Sequence, residues 1–558
     1  MDDDARARTL LRHSRVFAYS AVVLIALAGG AWALARARGA GANDGSNGIT
    51  RALKDESITD EERSSSPEPS PADRARRLRA AGNTQYKVGN YIAAASLYTT
   101  ALAIPLSTPD AAADAAVCLS NRSACHLALH EFHAAIADAT AALEREPEYW
   151  KAMMRRGYAH EQIGEHDAAV VDYTATCILS TSRDNERLAA AVDRLLVLGA
   201  GARMREANKA RTWELPSAAV VGAYVRSFHD EYADEDGELK EAFAELARGT
   251  YDAYTRAHAL FDAATAKATT SSTKATALEL RGALRALQGD RAAAVDDLTS
   301  AILLHPTATR YIRRALVHIE RGDVLACQSD FDAAGIEDPC DPDMYYHRGQ
   351  TYLLLGEFSD AAADYERAVE LLPEFVQAHV QLALVLYKQG RMEDAVARFQ
   401  DVIAEFSTCA EVYNYYGELL MYQQRLQEAV GMFETALAIA RHTTNGAVDV
   451  TPLVNLALMS WQHGQGTLIQ AEELLRCAVE ADERSEIAVA TLVQFLLARD
   501  RVEEAIPLAR RQLTLARSEH EQLQAAKTLA EAETQMMLYE RYPRIRERIR
   551  RLGMPEEK

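Results

Sequence analysis

The strongest constraint on this chain is an internal repeat with a period of about 34 residues. Alanine recurs at that spacing, and an aromatic residue follows each alanine one helical turn later: Ala361 and Tyr365, Ala395 and Phe399, Ala429 and Phe433. Small and aromatic residues one turn apart favour close contact between two helices, and a unit of this length cannot bury its apolar face without neighbours. The sequence therefore predicts an all-α fold of stacked helical hairpins with an extended concave inner surface.

The clearest copy of the repeat runs from Tyr345 to Pro373 and reads YYHRGQTYLLLGEFSDAAADYERAVELLP. It has small residues at Gly349 and Ala368, and its proline stands where a helix should stop. This pattern resembles the tetratricopeptide repeat family. The resemblance implies a superhelix of about 11 helical hairpins, with boundaries good to a few residues.

The absence of catalytic motifs argues against an enzyme, and the net charge argues against nucleic-acid binding. The formal net charge is -20, whereas contacts to nucleic-acid phosphates need a clustered basic face. The sequence has no glycine-rich phosphate loop, no GxSxG elbow and no HExxH pair, and its seven cysteines form no CxxC pair. We therefore expect no catalytic residue, no cofactor, no metal site and no nucleic-acid partner, and we expect the cysteines to be reduced.

The N-terminus differs from the rest. After a short tail, 1–15, the segment 16–35 reads VFAYSAVVLIALAGGAWALA and contains no charge, which is just long enough for one transmembrane helix. Residues 36–72 are rich in Gly, Ser, Pro, Asp and Glu and predict a disordered acidic tether. We interpret 16–35 as a signal anchor. The alternative is a cleaved secretory signal, but the apolar core of such signals is usually shorter than this segment.

Polar residues recur on the inner helices of the first three repeats, residues 73–180. They are Arg79, Asn83, Asn121, Lys151 and Arg155. Three cations and two amides on one concave surface suit a carboxylate ligand, because charge-assisted hydrogen bonds are the strong kind. The set resembles the dicarboxylate clamp of tetratricopeptide co-chaperones, with Arg79 where lysine is commoner. That resemblance implies binding of the C-terminal EEVD tails of the 70-kilodalton and 90-kilodalton heat-shock chaperones.

The repeat period breaks at 181–237, a helical linker that contains WELPSAAVVGAYVRSFHDE, and a second array follows at 238–545 before a tail at 546–558. The order of anchor, tether, three clamp repeats, insertion and long second array resembles the family of 70-kilodalton import receptors of the mitochondrial outer membrane. This resemblance implies a single-pass protein whose repeats face the cytosol. It also implies transfer of hydrophobic precursors of the carrier type from chaperones to the import pore, with other subunits of the outer-membrane translocase as partners.

The inner surface of the second array is predicted to hold the precursor. Its candidate residues lie on the first helices of successive hairpins: Tyr346, Gln350, Leu384, Tyr387, Asn414, Glu418 and Met421. They mix apolar, aromatic and polar character, which suits a segment with both apolar and basic residues. Packing between repeats is the alternative role for each of them.

Two other interpretations of the whole chain stay open. One is a membrane-anchored co-chaperone on another organelle, the endoplasmic reticulum or a plastid envelope, since it would use the same clamp. The other is a secreted repeat protein, which would need cleavage after Ala35. The sequence leaves open whether the protein is a monomer or a homodimer.

Overall fold

The computed structural model is helical throughout its described part. It describes residues 70–105, 111–180, 185–209, 211, 214–229, 237–443 and 448–553. Within these ranges all of the regular secondary structure is helical and there is no strand. This confirms the prediction of an all-helical repeat fold. The predicted anchor at 16–35 and all but the end of the predicted tether lie outside the described residues, and no described helix is both long and apolar enough to span a membrane.

The described residues form 26 helices. In chain order they are α1 (Pro71–Lys87), α2 (Tyr91–Leu102), α3 (Ala111–Ala128), α4 (Phe132–Arg145), α5 (Trp150–Gln162), α6 (His166–Leu179), α7 (Asn185–Lys209), α8 (Ala218–Arg226), α9 (Glu238–Leu246), α10 (Tyr251–Lys267), α11 (Ser271–Gln288), α12 (Arg291–Leu304), α13 (Ala308–Glu320), α14 (Val324–Glu337), α15 (Pro342–Leu355), α16 (Phe358–Leu371), α17 (Val376–Lys388), α18 (Met392–Glu405), α19 (Ala410–Tyr422), α20 (Leu426–Thr443), α21 (Thr451–Gln462), α22 (Leu468–Ala481), α23 (Glu486–Ala498), α24 (Val502–Leu515), α25 (Glu519–Arg541) and α26 (Pro543–Gly553).

Contacts between residues divide the chain into two compact units. Of the described residues, the N-terminal unit contains 70–208, Val502–Ile506 and 523–553, and the central unit contains Lys209–Arg501 and Pro507–Gln522. The N-terminal unit thus takes in most of the last two helices as well as the first three hairpins. The domain boundaries predicted from the sequence stay predictions, because a compact unit need not coincide with a functional domain.

Most helices pack in successive pairs within each unit. The pairs are α1 with α2, α3 with α4, α5 with α6, α9 with α10, α11 with α12, α13 with α14, α15 with α16, α17 with α18, α19 with α20, and α21 with α22. The turn inside a hairpin needs a residue with left-handed backbone, and glycine supplies it at Gly164 and Gly356, where φ is 81° and 82°.

Several hairpins are closed by a contact between a glycine on the first helix and an aromatic ring on the second. The pairs are Gly82 with Tyr98, Gly157 with Tyr173, Gly349 with Tyr365, and Gly417 with Phe433. A Cβ atom at Gly349 would lie 2.9 Å from the Tyr365 ring, and one at Gly417 would lie 2.6 Å from the Phe433 ring. These distances leave no room for a side chain, so the missing Cβ sets how closely the two helices approach.

An ion pair joins the two helices in five of the hairpins described, and at Gly157 and Gly349 it lies beside the glycine contact. Its arginine is on the first helix and its aspartate on the second, and two N–H groups donate to the two carboxylate oxygens at 2.6 to 2.9 Å: Arg122 with Asp138, Arg156 with Asp172, Arg281 with Asp297, Arg314 with Asp330, and Arg348 with Asp364. Such a fork fixes orientation as well as distance. Leu382 and Arg398 occupy the same two positions in the next hairpin, so there the pair is lost.

The closing helices pack onto the third hairpin of the N-terminal unit. Ala530 of α25 is buried in one apolar cluster with Tyr173 and Leu195, and Arg203 of α7 pairs with Glu533 at 3.0 Å. The Tyr542 hydroxyl donates to Asp172 Oδ1 at 3.0 Å and accepts from Arg156 at 2.7 Å. The third hairpin therefore has its ion pair completed by a residue 370 positions later in the chain.

Replacing Gly349 with alanine should destabilise the central unit, because the new methyl group would overlap the Tyr365 ring. Overpacking of this kind costs about 1 to 3 kcal/mol in the free energy of unfolding. Gly431 is the matched control, since it lies inside α20 with no atom within 4 Å of its added Cβ. Gly431→Ala should stabilise by about 0.5 to 1 kcal/mol. Urea titration followed by circular dichroism measures both, and equal effects would contradict the close-contact argument.

Removing Arg348 should leave Asp364 as an unpaired carboxylate that is only 9% exposed. Arg348→Leu should therefore lower the free energy of unfolding by about 2 to 4 kcal/mol. In the control pair, Arg391 and Asp394, both side chains are more than half exposed. Arg391→Leu should cost less than about 0.5 kcal/mol in the same titration. A loss for Arg348→Leu no larger than the control's would show that the pair contributes little.

Candidate binding sites

The predicted clamp residues lie on the first helices of three successive hairpins in the N-terminal unit. Arg79 and Asn83 are on α1, Asn121 is on α3, and Lys151 and Arg155 are on α5. Asn121 and Arg155 are one repeat length apart and so occupy the same position in neighbouring repeats. The repeat geometry thus places all five residues on the corresponding helices of adjacent hairpins.

Three of the five side chains form one connected group. Asn121 Nδ2 donates to Asn83 Oδ1 at 3.1 Å, and the Tyr98 hydroxyl donates to the same oxygen at 2.7 Å. Arg155 Nη1 donates to Ser120 Oγ at 2.5 Å and more weakly to Asn121 Oδ1 at 3.4 Å. Neutral acceptor oxygens of Ser120 and Asn121 therefore hold the guanidinium. Neutral donors of Tyr98 and Asn121 hold Asn83.

The Arg155 guanidinium is partly buried and has no carboxylate partner in the described part of the chain. Burial lowers its pKa, and the neighbouring tyrosines oppose that shift only in part. A desolvated cation held by neutral oxygens is costly unless an anion joins it. Next to it, Arg156 is paired with Asp172, so two adjacent arginines have opposite surroundings.

Arg79 and Lys151 stand apart from this group. Arg79 donates to Asp114 Oδ1 at 2.6 Å, and Lys151 is exposed with its Nζ 5.5 Å from the centre of the Trp150 ring. Asp114 was not identified from the sequence, although it lies 35 residues after Arg79, close to one repeat length. A ligand carboxylate at Arg79 would have to share or displace this internal acid.

The predicted groove residues of the central unit fall into separate groups. Tyr346 is 4% exposed, and its ring centroid lies 5.9 Å from that of Tyr365 and 4.7 Å from that of Phe375. Gln350 Nε2 donates to the Tyr346 hydroxyl at 3.0 Å. Their main contacts are therefore within the core between repeats. The sequence had left that role open for each of these residues.

The remaining groove residues lie on α17 and α19. Leu384 and Tyr387 are half-buried, Met421 is 5% exposed, and the Tyr387 ring stacks on the Tyr422 ring with centroids 6.1 Å apart. Asn414 and Glu418 join one polar group on α19. These residues form a continuous mix of apolar, aromatic and polar side chains along two neighbouring first helices.

Glu418 is the centre of the polar group. Asn414 Nδ2 and Asn455 Nδ2 both donate to Glu418 Oε1 at 3.1 Å, and Asn455 Nδ2 also donates to Asn414 Oδ1 at 3.0 Å. Burial raises the pKa of Glu418 to about 7, and the two amides lower it only in part. Asn455 on α21 was not singled out from the sequence, because the insertion after α20 moves it out of the repeat register.

The end of the insertion between the two arrays, residues 226–229, lies against the first helices of hairpins in the central unit. Phe228 stacks on His347 with centroids 4.4 Å apart, and the Arg313 guanidinium carbon is 3.9 Å from the Phe228 ring centre. His347 Nε2 donates to the Ser227 carbonyl at 3.0 Å. An aromatic residue and its backbone therefore occupy the inner face of α13 and α15.

The next residue continues the same contact. The His229 backbone N–H and its Nδ1 both donate to Asp343, at 2.6 Å each, and the His229 ring meets Phe375 edge-on at 4.4 Å. Further along the array, Arg226 pairs with Glu411 of α19 at 3.1 Å. The sequence identified this insertion as a break in period but gave no sign of where it would lie.

The two candidate sites contain charged, amide and aromatic side chains. Within the described ranges, no group of three or more His, Cys, Asp or Glu side chains is placed to hold a metal ion. The titratable groups in the two candidate sites are held by amides, hydroxyls or single counter-charges.

Comparisons with known proteins identify the repeat. Family models described as TPR repeat and Tetratricopeptide repeat match residues 349–390 for the first, and 126–176 and 380–442 for the second. These ranges contain the glycine–aromatic contacts of Gly157, Gly349 and Gly417 described above. The match therefore covers the contacts that set the approach of the two helices in those hairpins.

Relatives extend the match to most of the chain. The human mitochondrial import receptor subunit TOM70 is 29% identical over 481 residues, which cover 80% of this chain and 77% of the relative. The Saccharomyces cerevisiae protein of the same name is 28% identical over 461 residues, or 74% of this chain and 73% of the relative. The crystal structure of yeast Tom70 aligns with a TM-score of 0.54 and 28% identity, covering 85% of this chain and 99% of that one. The chain is therefore a tetratricopeptide repeat protein and a homologue of the TOM70 import receptor subunits.

Proposed function

We propose that this chain is a protein import receptor of the mitochondrial outer membrane. Its relatives carry the name of mitochondrial import receptor subunit, and the match spans about three quarters of their length. An all-helical repeat fold of this family is of a non-catalytic kind, which agrees with a receptor role.

In the finer form of the proposal, the N-terminal unit binds the C-terminal tails of the 70-kilodalton and 90-kilodalton heat-shock chaperones. The observation that carries it is the Arg155 guanidinium, a partly buried cation with only neutral oxygens as partners in the described residues. An EEVD tail ends in two carboxylates, so it would supply the anion that this site lacks. Asn83 and Asn121 would add amide donors without adding charge.

Arg79 and Lys151 would complete the clamp from its two sides. Lys151 is exposed and can reach a ligand directly. Arg79 is held by Asp114, so the incoming tail carboxylate would compete with that aspartate or bind alongside it. A ligand carboxylate gains less from an arginine that is already paired, so Arg79 should contribute less to tail binding than Arg155.

The central unit would hold the precursor. Its inner residues Leu384, Tyr387 and Met421 offer apolar and aromatic contact, and α19 adds Asn414 and Glu418. Such a surface suits a helical or extended segment with apolar and polar residues. Carrier-type precursors, other subunits of the outer-membrane translocase and a homodimer belong to the same proposal.

Arg155→Ala should abolish binding of a synthetic peptide that ends in Glu-Glu-Val-Asp, while the melting temperature changes little. The matched control is Arg77→Ala, which removes an exposed arginine of α1 from outside the predicted clamp. Fluorescence anisotropy measures the affinity, and we expect a loss of at least about tenfold for the first variant only. Unaltered affinity in Arg155→Ala would overturn the clamp.

Binding of the same peptide should weaken as salt rises, because the proposed contact is between charges that stay partly in water. A titration from about 50 to about 500 mM NaCl tests this, and about a tenfold loss over that range is expected for several charge contacts. An affinity that does not change with salt would point to an apolar anchor instead.

The membrane assignment is tested by localisation of the full chain with a C-terminal tag, followed by protease treatment of intact organelles. A tag that is found on mitochondria and is removed by protease supports an outer-membrane receptor that faces the cytosol. A tag on the endoplasmic reticulum or plastid envelope would support the anchored co-chaperone instead, and a protected tag would contradict both.

A further inference from the structure

We propose that Glu418 and Asn455 form a receptor for one basic side chain, lysine or arginine, of the segment bound by the central unit. This inference rests on the proposed function, since it names a chemical feature of the precursor. The groove would then bind a positively charged side chain at one defined position as well as apolar side chains.

The carboxylate of Glu418 is buried but has no cation. The residue is only 5% exposed, and its partners in the described structure are the amide groups of Asn414 and Asn455, each at 3.1 Å. A buried carboxylate is ordinarily paired with a base, because amide hydrogen bonds replace only part of its lost hydration. The missing partner is therefore a cationic donor.

A second acceptor in the same group is also unmet. Asn455 is fully buried, and its Oδ1 has no hydrogen-bond partner within the described ranges, although its Nδ2 donates twice. A buried amide oxygen without a donor costs free energy comparable to a lost hydrogen bond. Two acceptors that need donors favour an ammonium group, with three donors, or a guanidinium, with five.

The surroundings also favour a cation. The electrostatic neighbours of Glu418 include Tyr415 on its own helix, Tyr422 one turn beyond it, and Asp449 in the segment before α21. Asp449 adds a second negative charge near Glu418, and a second acid strengthens the attraction for a cation. Burial, first, and Asp449 raise the pKa of Glu418, and no lysine or arginine in the described part of the chain lowers it.

The chain provides an internal example of the same recognition. Glu411 and Glu418 lie two turns apart on one face of α19. Arg226 of the insertion reaches Glu411 at 3.1 Å. A lysine or arginine on a bound segment would pair with Glu418 in the same way that Arg226 pairs with Glu411.

The experiment uses the full chain in detergent and a set of designed peptides. Each peptide is a short amphipathic helix of four to five turns with leucine on one face, and it carries a single lysine at one position or norleucine at the same position. The lysine is moved through every polar-face position in turn. Affinities are measured for the unmodified chain, for Glu418→Gln, and for Glu434→Gln, which removes the same charge from the exposed face of α20.

We expect at least one lysine position to bind the unmodified chain about tenfold more tightly than its norleucine partner, the gain typical of a charge-assisted hydrogen bond. That advantage should vanish in Glu418→Gln and persist in Glu434→Gln, while the norleucine peptides bind all three proteins equally. An equal lysine advantage in the unmodified chain and in Glu418→Gln would overturn the inference. Failure of every peptide, including the norleucine set, to bind the unmodified chain would instead count against the proposed groove.

The pH dependence gives a check that needs no variant. Because the pKa of Glu418 is raised to about 7, the carboxylate is largely protonated at pH 6 and ionised at pH 8. The lysine advantage should therefore shrink as pH falls from 8 to 6, with no such change for norleucine peptides. A constant advantage across that range would contradict a role for this carboxylate.

Folding of the variant can be judged separately. The pKa of Glu418 in the folded protein, about 7, lies above its ordinary value of 4.5. The free energy of unfolding therefore falls as pH rises from 4.5 to about 7, and ionised Glu418 destabilises the fold at pH 8. Glu418→Gln should therefore melt at the same or a higher temperature at pH 8. A lost lysine advantage in a protein that melts normally is then a binding effect.

Discussion

The structure depends on how closely the two helices of a hairpin can approach. In the clearest repeat, the absent side chain of Gly349 lets α15 lie against the Tyr365 ring, and the adjoining Arg348 and Asp364 lock the same crossing with two hydrogen bonds. Apolar contact sets the distance and the ion pair sets the rotation. Because neighbouring hairpins repeat this geometry, the first helices fall in register, and side chains one repeat apart are presented side by side.

Each of the two candidate sites lies on first helices that are in register, and the two sites carry side chains of opposite charge. In the N-terminal unit an arginine is held by neutral oxygens, and in the central unit a glutamate is held by amides. Several buried charges elsewhere in the described residues are paired, as Arg156 and Asp172 are. Arg155 and Glu418 differ from these pairs, because their hydrogen-bond partners in the described residues are neutral groups.

Local periodicity was enough to predict the all-helical hairpins and the helices that carry the candidate residues. It was not enough for contacts that have no local signature. The pairing of Arg79 with Asp114 depends on a neighbouring repeat, and the position of Phe228 against His347 depends on a segment outside the period. The arginine and the aspartate that pair within a hairpin were visible in the sequence, but each looks like an ordinary surface charge until the hairpin brings them together.

The packing of α25 and α26 onto the third hairpin has a consequence for how the protein is made. Tyr542 meets Asp172 only after the ribosome has synthesised the whole central unit. At usual rates of translation this delay is roughly 20 to 70 seconds. Until then the surface around Tyr173 and Leu195 lacks the cover that Ala530 provides. The nascent chain therefore spends much of its synthesis with an incomplete N-terminal unit, and the third hairpin, although made early, is among the last parts to be finished.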